Sequence, residues 1–116
     1  MILAVVDDLM FTSKIKATAK PLGVSVVFAR SSAAALTEMR KECPALVIFD
    51  LNSARTDPLG TVAEMKKDPT LVSIPTVGFV SHVQTDLIER ARQVGVDEVM
   101  ARSAFTLQLA EILQRG

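Results

Sequence analysis

Net charge is what this sequence lacks most plainly: 13 Lys plus Arg offset 13 Asp plus Glu. Without a basic excess, the chain is not expected to bind nucleic acid directly or to adhere to a membrane surface. No apolar run reaches the roughly 18 to 20 residues that a bilayer span needs. The apolar start, Met1 to Val6, stops at Asp7-Asp8. It carries neither a cationic leader nor a small-residue cleavage site, so no signal peptide is expected. Cys43 is the single cysteine, which excludes an internal disulfide and makes the cytoplasm the expected compartment. His82 is the single histidine, so a Cys43 nucleophile would have only one base available. Cys43 is read instead as a small apolar residue near a helix end. There is no Gly-rich phosphate loop and no Ser/His/Asp ordering.

What is present is a globular composition, 49% hydrophobic and 22% charged, over 116 residues. That length fits one domain, 1–116. Five short apolar runs recur: Ile2 to Val6, Val24 to Ala29, Ala45 to Phe49, Thr76 to Val80, and Glu98 to Ala101. They are too short for stable helices and mostly rich in Val, Ile or Phe, so they predict strands. The first, third and fourth lack polar alternation, as in strands covered on both faces of a parallel sheet.

The segments between them have helical spacing. Phe11, Ile15, Ala19 and Leu22 share one face, as do Ala35, Leu36, Met39 and Cys43, with Ser31 or Ser32 as the cap. Asp57-Pro58 is a strong helix start, followed by Leu59, Val62 and Met65 on the inner side. Leu87, Ala91 and Val94 form the next stripe, with Gly95 just past its end. The last helix is expected from about Phe105 to Gln114, with Leu109, Ile112 and Leu113 inward. Met10, Met39, Met65 and Met100 are read as core filler, and Lys14, Lys16 and Lys20 as the wet side of the first helix.

Five strand–helix alternations predict a doubly wound α/β domain: a five-stranded parallel sheet with five helices on its two faces. Ligands in such sheets bind beyond the carboxyl ends of the strands, where strand order reverses. With the order 2-1-3-4-5, Asp7 and Asp8 after the first strand converge on Asp50 after the third. Crowded carboxylates repel, which a hard divalent cation relieves, and Mg²⁺ is the usual intracellular candidate. Asp50 then stands as a nucleophile toward phosphorus. Ser81, after the fourth strand, is placed to donate to a phosphoryl oxygen or to cap the next helix. Arg102, after the fifth, supplies positive charge, to a phosphoryl group or as a salt-bridge partner of Asp50. His82 is read as a partly exposed loop residue that narrows access.

Four motifs in order, Ile2-Leu3-Ala4-Val5-Val6-Asp7-Asp8, Pro44-Ala45-Leu46-Val47-Ile48-Phe49-Asp50-Leu51, Lys66-Lys67-Asp68-Pro69 with Ile74-Pro75-Thr76-Val77, and Gly95-Val96-Asp97-Glu98, give the chain its resemblance to the receiver domain of bacterial response regulators. The resemblance covers essentially the whole chain and implies a flavodoxin-like fold of strand order 2-1-3-4-5. It implies that Asp50 is the phospho-acceptor, that Asp7 and Asp8 hold Mg²⁺, that the Asn52 backbone carbonyl is a further metal ligand, and that Ser81 senses the phosphoryl group. It also implies a histidine kinase or phosphotransfer protein upstream, an effector protein downstream, a monomer or weak homodimer, and no catalysis beyond self-phosphorylation and self-dephosphorylation.

The chain departs from that pattern on the responding side. Arg102 replaces the usual Lys, and Ser103 the Pro after it. Val99 stands where an aromatic is usual, and the chain has no Tyr or Trp at all. His82 replaces a small residue, and the loop from Ser53 to Gly60 is longer by about two residues. A second reading follows from these departures, a pseudo-receiver that serves as a phosphorylation-independent interaction module. A third, a flavodoxin-like ligand-binding or enzymatic domain, shares only the switch point. The end at Gly116 leaves a stand-alone regulator and a piece of a longer protein equally open.

Overall fold

The computed structural model describes residues 1–81 and 84–115; His82, Val83 and Gly116 lie outside the described residues. The order of elements is β1 (Ile2–Val5), α1 (Leu9–Leu22), β2 (Val26–Ala29), α2 (Ser32–Lys41), β3 (Leu46–Asp50), α3 (Pro58–Lys67), β4 (Thr76–Val80), α4 (Thr85–Val94), β5 (Glu98–Ala101), α5 (Arg102–Leu107) and α6 (Leu109–Gln114). The five strands pair in the order β2-β1-β3-β4-β5, all parallel, as the sequence predicts.

The unbroken apolar runs are explained by two cores, one on each face. Ile2, Ala4, Ile48, Val77 and Phe79 meet Phe11, Ile15 and Ala19 of α1, Phe105 of α5, and Leu109, Ile112 and Leu113 of α6. Leu3, Val5, Val47 and Phe49 meet Ala35 and Met39 of α2, Val62 and Met65 of α3, and Ala91 of α4. Every residue from Ile2 to Val6 is fully buried. Polar alternation in β1 would place polar groups in one of these cores, which is why the strand has none.

The helix starts are largely legible. Ser31, not Ser32, caps α2 by accepting the Ala34 N–H at 3.1 Å. Asp57 caps α3 from a left-handed backbone (φ 43°), its carboxylate accepting the Gly60 N–H at 3.3 Å. A Cβ on Gly60 would run into that carboxylate. Gly78, mid-β4, lies under Leu51: an added Cβ would meet the leucine side chain at 2.8 Å.

The structure corrects several expectations. Val24 and Ser25 are not strand, because Gly23 ends α1 left-handed and the Val24 N–H turns back to the Ala19 carbonyl at 3.2 Å. Six helices replace five: Gln108 (φ −99°, ψ 6°) interrupts the last one, which already begins at Arg102. Cys43 is exposed beyond the end of α2 and takes no part in its inner face. Met10 is 84% exposed and is not core filler.

Candidate functional site

Asp50 is the final residue of β3 and pairs with Phe79 of β4. Asp7 and Asp8 follow β1, the neighbour of β3 on its other side. The switch point therefore brings the three carboxylates to one end of the sheet. The partly buried Asp50 accepts the Asn52 N–H at 3.0 Å through Oδ1. Burial pushes its carboxyl above the usual range, and the nearby Asp8 and Asp7 add to this. The Asn52 N–H and the Arg102 charge pull the other way without cancelling it.

Asp7 and Asp8 each face an arginine. Asp7 Oδ1 lies 3.7 Å from Arg55 Nη1, in the loop after Asp50. Asp8 has two tasks, one per oxygen. Oδ1 caps α1 by accepting the Met10 and Phe11 N–H groups at 2.9 and 3.2 Å. Oδ2 faces Arg102 Nη2 at 3.4 Å. The Phe11 N–H does most to hold the Asp8 carboxyl below its usual range, with the Met10 N–H and Arg102 assisting against burial. The capping role was readable in principle, since an Asp three residues before an apolar helical stripe is a cap signal.

Arg102 thus pairs with Asp8, in place of the Asp50 contact considered from sequence. Its guanidinium also lies 4.4 Å from the centre of the Phe11 ring. That ring belongs to a stack in which Phe79 lies 4.8 Å from Phe11 and 4.6 Å from Phe105.

Ser81 is exposed just after β4. It does not cap α4, whose N-cap position is Gln84. Its backbone N–H donates to Asn52 Oδ1 at 2.6 Å, and Asn52 Nδ2 donates to Gln84 Oε1. Asn52, singled out for its carbonyl, therefore also ties the β3–α3 loop to the β4–α4 loop through its side chain. No sequence signal marks that role, because it depends on residues about thirty apart meeting across the sheet end. His82, read as a gatekeeper, lies outside the described residues.

A cleft of about 490 Å³ opens beside Asn52, between Leu51, Pro58 and Leu59 on one side and Leu87 and Arg90 of α4 on the other. A smaller one of about 210 Å³ lies at Arg102, lined by Met10, Phe11, Lys14 and Thr106. Asp7, Asp8 and Asp50 line neither. Their oxygens suit a hard divalent cation in kind. Among the described residues, no three His, Cys, Asp or Glu side chains are gathered into a ready-made metal cage.

Solved structures that share this fold include several response regulators. The phosphorylated cyanobacterial phytochrome response regulator RcpA is 29% identical, over 97% of this chain and 87% of that chain, with a TM-score of 0.78. This chain has the fold of response-regulator receiver domains. A response regulator from Hahella chejuensis shares the fold at a TM-score of 0.87, with 18% identity over 97% of this chain and 91% of that one. A chemotaxis response regulator of Vibrio cholerae does so at 0.84, with 19% identity over 98% and 95%. No family model and no curated protein matches. In this chain the β5 position where the resemblance expects an aromatic is Val99, partly buried against the α2–α3–α4 core. Among the described residues, no helix is long and apolar enough to cross a membrane.

Proposed function

We propose that this receiver domain accepts a phosphoryl group on Asp50 from a histidine kinase or phosphotransfer protein and passes the signal to an effector protein. The observation that carries the reading is the Asp50 carboxylate itself. It sits at the strand end where chain order reverses, partly buried, with Oδ1 held by the Asn52 N–H and two further carboxylates beside it. A desolvated carboxylate fixed by one oxygen presents the other as a nucleophile. In the transfer an Asp50 oxygen bonds to phosphorus while the donor's P–N bond breaks, and the departing imidazole takes up a proton.

Asp7, Asp8, Asp50 and the Asn52 carbonyl would hold Mg²⁺, which when bound supplies positive charge against the carboxylates and the incoming phosphoryl oxygens. A neighbouring solved structure is the Mn²⁺-bound form of a response regulator, which favours a divalent ion here. Ser81, whose backbone N–H is tied to Asn52, would donate its hydroxyl to the transferred group. The domain acts on no separate substrate, works in the cytoplasm as a monomer or weak homodimer, and, with balanced charge, contacts neither nucleic acid nor membrane.

Incubation with Mg²⁺ and a small acyl phosphate, followed by intact-mass measurement, tests this. A phosphoryl mass that disappears in Asp50→Asn is the expected result. No mass gain, together with no measurable Mg²⁺ affinity, overturns it. The outcome would then favour the second reading, a phosphorylation-independent interaction module. The engagement of Asp8 by Arg102 is the observation on that side.

A further inference from the structure

β2 forms one edge of the sheet, and among the described residues its one strand neighbour is β1. The Ile2 N–H donates to the Ser25 carbonyl at 3.0 Å. In a parallel ladder alternate residues turn to the same neighbour, so Val27 faces β1 while the N–H and C=O groups of Val26 and Phe28 face outward. Exposed edges are ordinarily guarded by charge or proline. The opposite edge is guarded: β5 opens with Glu98, which Arg115 Nη1 holds. β2 has no such guard. Val24 to Ala29 contains no charged residue and no proline. Val26, Val27 and Phe28 are each partly exposed. The surroundings of this edge carry one sign. From Leu9 to Thr37, which spans α1, β2 and the first part of α2, the charged residues are Lys14, Lys16, Lys20 and Arg30, with no Asp or Glu. All of these cations are exposed. Lys16 reaches the strand itself, its Nζ 5.3 Å from the centre of the Phe28 ring. In a chain of zero net charge, this local excess favours an acidic partner.

We propose that the outer edge of β2 receives an extended segment of another protein as an added strand, with Asp or Glu at alternate positions of that segment. Val26 and Phe28 pack toward the α1 side of the sheet and Val27 toward the α2 side. Carboxylates on the α1 side of the added strand meet Lys16, and its apolar side chains on the other side lie beside Val27. Main-chain pairing supplies the affinity and the alternation supplies the selectivity. A second copy of this chain fits poorly. Two β2 edges joined antiparallel keep the same face upward, which brings both Lys16 ammonium groups onto one side of the seam. Nucleic acid and anionic lipid match the charge but not the alternating donors and acceptors of a strand edge. None of these features involves Asp50.

An end-capped heptapeptide of alternating Val and Glu, titrated into the full chain and followed by amide NMR, tests the proposal. A heptapeptide of alternating Val and Lys is the control. The acidic peptide is expected to slow hydrogen exchange at the Val26 and Phe28 amides by about tenfold or more, leaving Val27 unchanged. Lys16→Glu, at an exposed position, is expected to weaken the acidic peptide by about fivefold and to admit the Val/Lys peptide. Val26→Pro removes an outward N–H at the first residue of the strand, where proline is tolerated, and should abolish binding. Equal binding of the two peptides, or protection of α1 amides without Val26 and Phe28, overturns the proposal. A DNA duplex or phosphatidylglycerol vesicles that bind where the acidic peptide does not overturn it in favour of a plain basic surface. Protection of Val26 and Phe28 that grows with protein concentration alone overturns it in favour of self-pairing.

Discussion

Thr76 and Asp97 hold each other across the start of β4 and the approach to β5. Asp97 Oδ2 accepts the Thr76 N–H at 2.8 Å and its hydroxyl at 3.1 Å, while Thr76 Oγ1 accepts the Asp97 N–H at 2.9 Å. The Thr76 side is buried, so losing the carboxylate strands a buried N–H and hydroxyl. Asp97→Ala is expected to cost about 1–3 kcal/mol in urea unfolding. A double-mutant cycle with Thr76→Val should recover part of that loss as coupling. Strictly additive effects would show that the two residues do not act as a pair.

Asp50 predicts a pH-dependent gain. Its folded carboxyl titrates above the unfolded value of 3.8. The folded state therefore holds the proton to higher pH than the unfolded state. Stability falls as pH rises from that unfolded value through the folded one, and the penalty is complete above it. Asp50→Asn removes this penalty while keeping an acceptor for Asn52. Its unfolding free energy is expected to exceed wild type at pH 7 and to differ little at pH 3. A gain of the same size at both pH values would refute this origin.

Asn52 predicts a local effect with little change in global stability. Asn52→Ala removes the acceptor for Ser81 and the donor to Gln84. Hydrogen exchange at the Ser81 amide is expected to speed up about tenfold or more, corresponding to a bond worth about 1–1.5 kcal/mol. Amides of β1 should be unchanged. Unaltered Ser81 exchange would mean that the side-chain tie does not hold the loop.

Gly78 and Leu51 predict a compensated pair. Gly78→Ala drives a Cβ against Leu51 and is expected to cost about 1–3 kcal/mol in denaturant unfolding. In a Leu51→Ala background the same change should cost clearly less, because the obstructing atoms are gone. An undiminished cost there would place the strain in the backbone.

Legibility followed the range of the interaction. The strands were visible because burial on both faces removes every polar residue from Ile2 to Val6. Asp57-Pro58 was visible because a cap acts within a few residues. Asp7, Asp8 and Asp50 could be brought together only by supplying strand order, after which their convergence followed. What stayed hidden depends on distant partners. Arg102 was placed at the site, yet its choice of Asp8 depends on Phe11, and Phe11 is positioned by Phe79 and Phe105. Asp97 was visible as part of a motif, but its work on Thr76 was not. Ser31 and Ser32 could not be ranked, because Ser32 is drawn off by Thr61 at 2.7 Å.

The left-handed Asp57 and the bare Gly60 beneath its carboxylate bear on how related chains can drift. The two positions are coupled. A side chain at 60 requires the Asp57 carboxylate to swing away from the Gly60 N–H, at about the modest cost of a helix cap. Chains with a bulkier residue at 60 are therefore expected to carry a different cap residue or cap geometry at 57.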